Sequence, residues 1–249
     1  MGHDNRFSEL NFNDFGRLAS DPALSKYEKI GFPDSYREGR EGFIFEDIKS
    51  KLSNLDSSGG MVLDIGPGCS DLPEIIMNHC EEKGHQLYLV DNKEMLDLLP
   101  DKDFVHKFDA IYPHCPGLVE DMKERFDVVL CYSVLHYIIL DAGFFRFLDA
   151  SLSLLAPGGQ FLIGDIPNVS KRKRFLCSDA GVAFHRRHMN TEAPPSVHFN
   201  RIEHDSIDDS IVIAVIMRAR SAGFDAYLLP QRSDLPMANR REDVLIVRP

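Results

Sequence analysis

Met61-Val62-Leu63-Asp64-Ile65-Gly66-Pro67-Gly68-Cys69-Ser70-Asp71 decides how the chain is read. A short apolar run, set off by the Ser57-Ser58-Gly59-Gly60 break, reads as a parallel strand buried on both faces. Beyond the two glycines, Leu72, Ile75, Ile76 and Cys80 recur at helical spacing, with Pro73 in the first turn and Asp71 and Glu74 placed as a capping pair. A strand that turns on glycines into a helix is a βα unit, and the pattern repeats. Further strands are expected over 86–91, 104–109, 127–132 and 160–165, with helical patterns over 93–99, 114–125 and 141–155 between them. Such alternation implies right-handed crossovers and an α/β, doubly wound, mostly parallel sheet.

Outward from that core, residues 1–58 read as a helical cap, with Ile44, Ile48, Leu52 and Leu55 spaced as one buried face. After the fifth strand, a polar stretch over 167–205 containing Pro194-Pro195 is too long for an ordinary loop. It is expected to form a lid or substrate-binding insertion carrying short helices. A helix over 207–221 and strands near 224–229 and 242–247 end the chain. The expected division is a cap, 1–58, and one catalytic domain, 59–249.

Composition narrows the partners. The 249 residues are 43% hydrophobic and 27% charged, an ordinary globular balance. A net charge of -11 opposes binding to a polyphosphate chain, so nucleic acid is unlikely as a substrate. Cys69, Cys80, Cys115, Cys131 and Cys177 are scattered without a C-x-x-C pair, so neither a disulfide framework nor a metal site is expected. Met1 to Asn13 lacks the apolar core of a signal peptide, and Arg6 stands where myristoylation wants Ser or Thr. No apolar run is long enough to span a membrane, so a cytoplasmic, unanchored protein is expected. Homodimerisation is compatible with this chain and not dictated by it.

The glycine turn sits at the carboxyl end of the first strand, where open α/β sheets bind ligands. Gly66 and Gly68 let the backbone approach a ligand, and the helix start behind them offers free N–H groups. A dinucleotide fingerprint needs a third glycine where this chain has Asp71, and a carboxylate facing a pyrophosphate is repelled, which disfavours NAD or FAD. S-adenosylmethionine (SAM) poses the reverse demand, with a cationic ammonium and sulfonium, and Asp64 beside open amides suits its amino-acid end. Asp91, at the tip of the second strand in Leu89-Val90-Asp91-Asn92, can accept both ribose hydroxyls. The bland role for Asp91 or Asn92 is to cap the next helix.

At this point the chain resembles the class I SAM-dependent methyltransferases, small-molecule type. Val62 to Gly68 resembles their first motif, Leu89-Val90-Asp91 the acidic second, and Phe108-Asp109-Ala110 the strand tip that contacts adenine in that family. Phe126 to His136, including Cys131 and Ser133, resembles the fourth strand and its exit beside the transferring methyl, and Leu154 to Ile163 the L-x-P-G-G turn into strand five. The resemblance covers about residues 59–165; Ser70 departs from it, standing where many members have a third glycine. It implies a Rossmann-like seven-stranded sheet with an antiparallel last strand, SAM as cofactor, and Asp64, Gly66, Pro67, Gly68, Asp91, Asn92, Asp109, Ala110, Cys131 and Ser133 as cofactor-binding residues.

For the chemistry, methyl transfer is an in-line displacement driven largely by positioning, and a hydroxyl acceptor also benefits from a general base. His136, just past the fourth strand, is the candidate base; its alternative is packing at the start of the following helix. Tyr36 and Arg37 in the cap, and His185, Arg186 and His188 in the insertion, are candidates for substrate contact, the latter three as a cationic pocket for a phosphate or carboxylate. The expected reaction is O- or N-methylation of a small, anionic or sugar-like molecule. The competing readings are a catalytically inactive SAM-binding regulatory protein and a NAD-dependent oxidoreductase.

Overall fold

The computed structural model describes residues 10–141, 143–201 and 203–249. The first nine residues of the expected cap, residue 142 of a helical pattern and residue 202 of the insertion lie outside this set, as does most of the polar N-terminal stretch.

Seven strands form one sheet: β1 (Met61–Ile65), β2 (Gln86–Asp91), β3 (Val105–Asp109), β4 (Phe126–Tyr132), β5 (Leu155–Pro167), β6 (Asp225–Pro230) and β7 (Arg241–Val247), in the order β3-β2-β1-β4-β5-β7-β6. β1 pairs parallel with β2 and β4, β2 with β3, and β4 with β5, whereas β7 runs antiparallel to both β5 and β6. The order reverses between β1 and β4, which opens a crevice at the carboxyl ends of those strands. Val62, Leu63 and Ile65 of β1 are each at most 1% exposed, as expected of a strand covered on both faces.

Helices α1 (Phe12–Ser20), α2 (Lys26–Lys29), α3 (Asp34–Arg37) and α4 (Glu41–Lys51) precede the sheet. Ile44, Ile48, Leu52 and Leu55 are all buried and share one apolar cluster with Leu72, Ile76 and Met77. The latter three lie on α5 (Asp71–Lys83), so the C-terminal part of the 1–58 segment is integral to one face of the sheet. The remaining helices are α6 (Lys93–Leu96), α7 (Pro116–Val119), α8 (Leu135–Asp141), α9 (Phe144–Leu154), α10 (Val169–Leu176), α11 (Asp179–Met189) and α12 (Asp209–Ser221). The helix expected over 114–125 shrinks to a single turn, because past Cys115 only Leu118 in it is buried and Glu124 adopts a left-handed φ of 57°. The one expected over 141–155 starts at Phe144, since Gly143, at φ 79°, is its N-cap. The insertion carries α10 and α11, packed together through Phe175 and Phe184. Among the described residues no helix is long and apolar enough to cross a membrane.

Candidate functional site

The first turn of α5 departs from the sequence expectation. Asp71 and Glu74 do not cap it: Ser70 is the N-cap residue and makes no side-chain cap bond. The Leu72 N–H instead donates to Glu41 Oε2 on α4 at 2.6 Å, so the helix behind the glycine turn is capped from another element. Asp71 is drawn outward by Lys26 and by the Tyr27 hydroxyl, which donates to it at 2.8 Å.

Above that start, Gly66 and Gly68 adopt φ of 71° and 68°, the left-handed region glycine reaches without strain. The space matters as well. A Cβ on Gly66 would lie 2.8 Å from Val134 Cγ2, and one on Gly68 2.6 Å from Ile30 Cγ2, so the turn is pinned between the cap and the β4 exit. Asp91, 9% exposed at the tip of β2, reaches back to this turn. Its Oδ2 accepts from Gly68 N–H at 3.0 Å and its Oδ1 from Asn92 N–H at 2.7 Å. Burial pushes its carboxyl up to about 6 against the pull of those two bonds. Asp64 is 3% exposed, and burial together with the neighbouring Asp91 pushes its carboxyl up to about 8, with no described cation offsetting them.

A cleft enclosing about 910 Å³ of non-atom space, part of it open to solvent, lies over this turn. Its floor is Gly66, Pro67, Gly68, Asp91 and Ala110; its walls are apolar, from Phe12, Phe15, Ile30 and Phe32 of the cap to Val134, Tyr137 and Ile138 past β4. That size and composition suit a small organic ligand with a few polar anchors. Arg37 also lines it, 3% exposed, stacked with its guanidinium 4.4 Å from the Phe32 ring centroid. Arg37 Nη2 donates to Ser133 Oγ at 2.6 Å, and Ser133 Oγ donates to Asp165 Oδ2 at 2.5 Å. Arg37 Nε and Glu41 Oε1 are enclosed without a hydrogen-bond partner, although Glu41 Oε1 lies 3.8 Å from Arg37 Nη1 as an ion pair.

Ser133 and Asp165, at the exits of β4 and β5, hold left-handed φ of 63° and 57°, a strain that side chains tolerate only where surroundings impose it. For Asp165 burial acts upward, but Arg241, Arg37 and the bonds from Ser133 and Gln231 outweigh it, and its carboxyl sits below the ordinary range. Asp165 is therefore a carboxylate that organises the cleft's base, not a proton acceptor.

The fold thus gathers Gly66, Pro67, Gly68, Asp91, Ala110, Ser133 and Arg37 on one cleft. Asp64 lies buried at the end of β1, next to Asp91, without reaching the cleft lining. Asn92 accepts from the Met95 N–H to cap α6, the bland role, while its Nδ2 is enclosed and unpartnered. Asn92 and Asp109 line an adjacent groove with Phe12 and Asn13, beyond the tips of β2 and β3. Cys131 is fully buried in the core, its thiol pushed up by burial and Asp64.

His136 does not line the cleft. Its ring packs on Tyr137, with centroids 3.9 Å apart, and its Nδ1 is enclosed without a partner. Burial and Arg241 push its pKa down to about 3 despite Asp165, leaving a ring too weakly basic for general-base work near neutral pH. Tyr36 lines a small cavity beside Arg37, Tyr132 and Asp165. Arg186 and His188 are exposed on α11, where His188 stacks on Phe184, and with His185 they stand away from the cleft. Glu41, Asp165 and the cap phenylalanines Phe12, Phe15 and Phe32 escaped the sequence reading. Asp165 carries the same signal that marked Asp91, a carboxylate closing a strand at the sheet's carboxyl edge.

Sequence comparison matches residues 36–205, more than half of the chain, to the family described as a methyltransferase domain. None of the curated proteins compared matches the chain. Similar solved structures include the N-methyltransferase NodS of Bradyrhizobium japonicum in complex with S-adenosyl-L-homocysteine (SAH), 14% identical over 96% of this chain and 98% of that one, with a TM-score of 0.54. A SAM-dependent methyltransferase from Aquifex aeolicus is 14% identical over 91% and 97%, with a TM-score of 0.53. The plantazolicin methyltransferase BamL, in complex with a substrate analogue and SAH, is 11% identical over 94% of each chain, with a TM-score of 0.59. At such identities structural likeness speaks for the fold; the family match and the glycine turn under its cleft add the rest. The chain belongs to the methyltransferase-domain family and is a SAM-dependent methyltransferase of the class I type.

Proposed function

We propose that the protein methylates a small molecule in the cleft between the cap and the carboxyl edge of the sheet. The carrying observation is the pairing of a buried, unneutralised carboxyl pair, Asp64 and Asp91, with a glycine turn whose glycines have no room for a side chain. The residues present fit SAM. Asp91 would take the ribose hydroxyls, Gly66 and Gly68 the close backbone approach, Asp64 would act on the ammonium through the turn, and Arg37, with an unpartnered Nε, would take the methionine carboxylate. Bound SAM supplies an electrophilic methyl on a sulfonium.

What the chain itself contributes is placement and dryness. The aromatic cap excludes water, and an acceptor held in line at near-attack distance gains most of the available rate from orientation. His136 takes no proton in this proposal, because its ring is held well below the ordinary imidazole range and stands off the cleft. An amine acceptor that is already neutral needs no base, so N-methylation is the reaction the site favours over O-methylation. The apolar, enclosed cleft and the net charge of -11 support a small molecule over nucleic acid. The five unpaired cysteines support a reducing cytosol.

Calorimetry with SAM, SAH and NAD tests the reading. Binding of SAM and SAH but not NAD is expected. Asp91→Ala should weaken SAM by about 2–3 kcal/mol, the loss of charge-assisted bonds to the ribose, with an unchanged circular dichroism spectrum. Equal affinity in the variant would show the ribose assignment to be wrong.

A further inference from the structure

The insertion holds a second cavity, between α10 and residues 196–201 with 203–204, enclosing about 1060 Å³ of non-atom space, part of it open to solvent. Its walls gather Arg172, Lys173, His198, Arg201 and His204 against a single carboxylate, Glu203. Glu203 is engaged by Lys173 at 2.7 Å. That leaves the guanidinium groups of Arg172 and Arg201 without a hydrogen bond or ion pair among the described residues. Arg172 faces repulsion instead, from Arg240. In a chain of net charge -11, this concavity gathers five cationic or titratable basic side chains against one carboxylate. Guanidinium forks left open in a concave wall match the paired oxygens of a phosphate or carboxylate.

The cavity also lies on the acceptor side of the molecule. α10 begins two residues past the end of β5, at the carboxyl edge where the cofactor cleft opens. Arg240 stands between the two spaces: its carbonyl accepts from the N–H of Asn168, the N-cap of α10, at 3.1 Å, and its own N–H donates to the Met237 carbonyl at 2.9 Å. Met237 in turn shares a small cavity with Tyr36, Arg37 and Tyr132, and the last two also line the cofactor cleft. A ligand anchored at Arg172 and Arg201 would extend toward the cleft past Arg240 and Met237.

We infer that the methyl acceptor is an anion, carrying a phosphate or carboxylate that docks on Arg172 and Arg201 while its reacting atom enters the cleft. This rests on the methyltransferase reading and adds a substrate class to it. The cationic site so assigned differs from the His185–His188 stretch that the sequence suggested.

The test uses the full chain saturated with SAH. Inorganic phosphate and succinate are titrated in separate calorimetric runs into the wild type, Arg172→Ala/Arg201→Ala and Arg186→Ala. The wild type and Arg186→Ala should bind at least one anion, and which one tells phosphate from carboxylate. The double variant should bind it about tenfold or more weakly, the loss of about one charge-assisted contact, while its SAH affinity is unchanged. In parallel, label from methyl-labelled SAM, incubated with a small-molecule extract split on an anion exchanger, should enter the retained fraction, with incorporation reduced in the double variant. The inference is overturned if the wild type binds neither anion, if the double variant binds as the wild type does, or if label collects only in the unretained fraction. Failure of the wild type to bind SAH would instead overturn the reading beneath it.

Discussion

At the scale of single residues, the site is governed by carboxyls whose surroundings differ. Asp165 is neutralised by two arginines and stays ionised; Asp64 and Asp91 are buried without a cation and are held up, to about 8 and about 6. Both titrate higher in the fold than in an unfolded chain, so between about pH 4 and pH 8 the native state binds more protons than the unfolded one. Stability therefore falls as pH rises through that window, and a bound cation that favours the ionised pair offsets the fall. The melting temperature of the free protein is expected to drop from pH 5 to pH 8 through these groups, while the extra stabilisation by SAM over that by uncharged-sulfur SAH grows. Thermal scans at matched ionic strength check this, and a SAM-to-SAH difference independent of pH would contradict it. Asp64 and Asp91 were legible in the sequence because a lone carboxylate at a strand tip is conspicuous. The weak basicity of His136 was not, because it is created first by burial and then by Arg241, more than a hundred positions away in the chain, and both arise only on folding.

At the scale of elements, α5 shows how a local signal is overridden. Asp71 and Glu74 have the spacing of a cap, yet α4 supplies Glu41 to the Leu72 N–H, and Lys26 and Tyr27 of α2 take Asp71. A carboxylate already held by two cap side chains is not free to bend back on its own helix. Glu41→Ala should destabilise the protein by about 1–2 kcal/mol, since the buried Leu72 N–H loses its acceptor. Glu41→Gln, which keeps an oxygen there, should lose less. Urea denaturation midpoints measure both, and equal loss would mean that the charge near Arg37 matters more than the cap. The strands were read to within a residue or two, except that β5 extends at both ends, whereas helices such as α6 and α7 came out shorter. A strand's apolar run reports its own burial, but a helix stops where neighbours no longer cover it.

At the scale of the molecule, the cap and the sheet are joined beneath the cleft by a buried polar chain. Lys51 of α4 donates to Asp47 and to Asp243 of β7, both at 2.6 Å; Asp243 accepts from the Asp165 N–H at 2.8 Å and from Gln231 at 3.1 Å. Asp243 is 0% exposed, so its charge depends on Lys51. Lys51→Met should cost about 3–5 kcal/mol by stranding that carboxylate, and adding Asp243→Asn should recover part of the loss. Additive losses in the double variant, read from the same denaturation curves, would show that the two residues are not coupled. Because Asp243 also holds the Asp165 backbone, the single variant should weaken SAH binding as well.

The sequence by itself determined the architecture, the family and the glycine turn with its two acidic strand tips, because these follow from short-range periodicity and from residues a few positions apart. Only the tertiary structure decided which side chains share the cleft: Arg37 was brought to Ser133 and Asp165, and Cys131 was turned into the core. The physical reason is that burial, charge pairing and access depend on distances between elements remote in the chain, which no local pattern records.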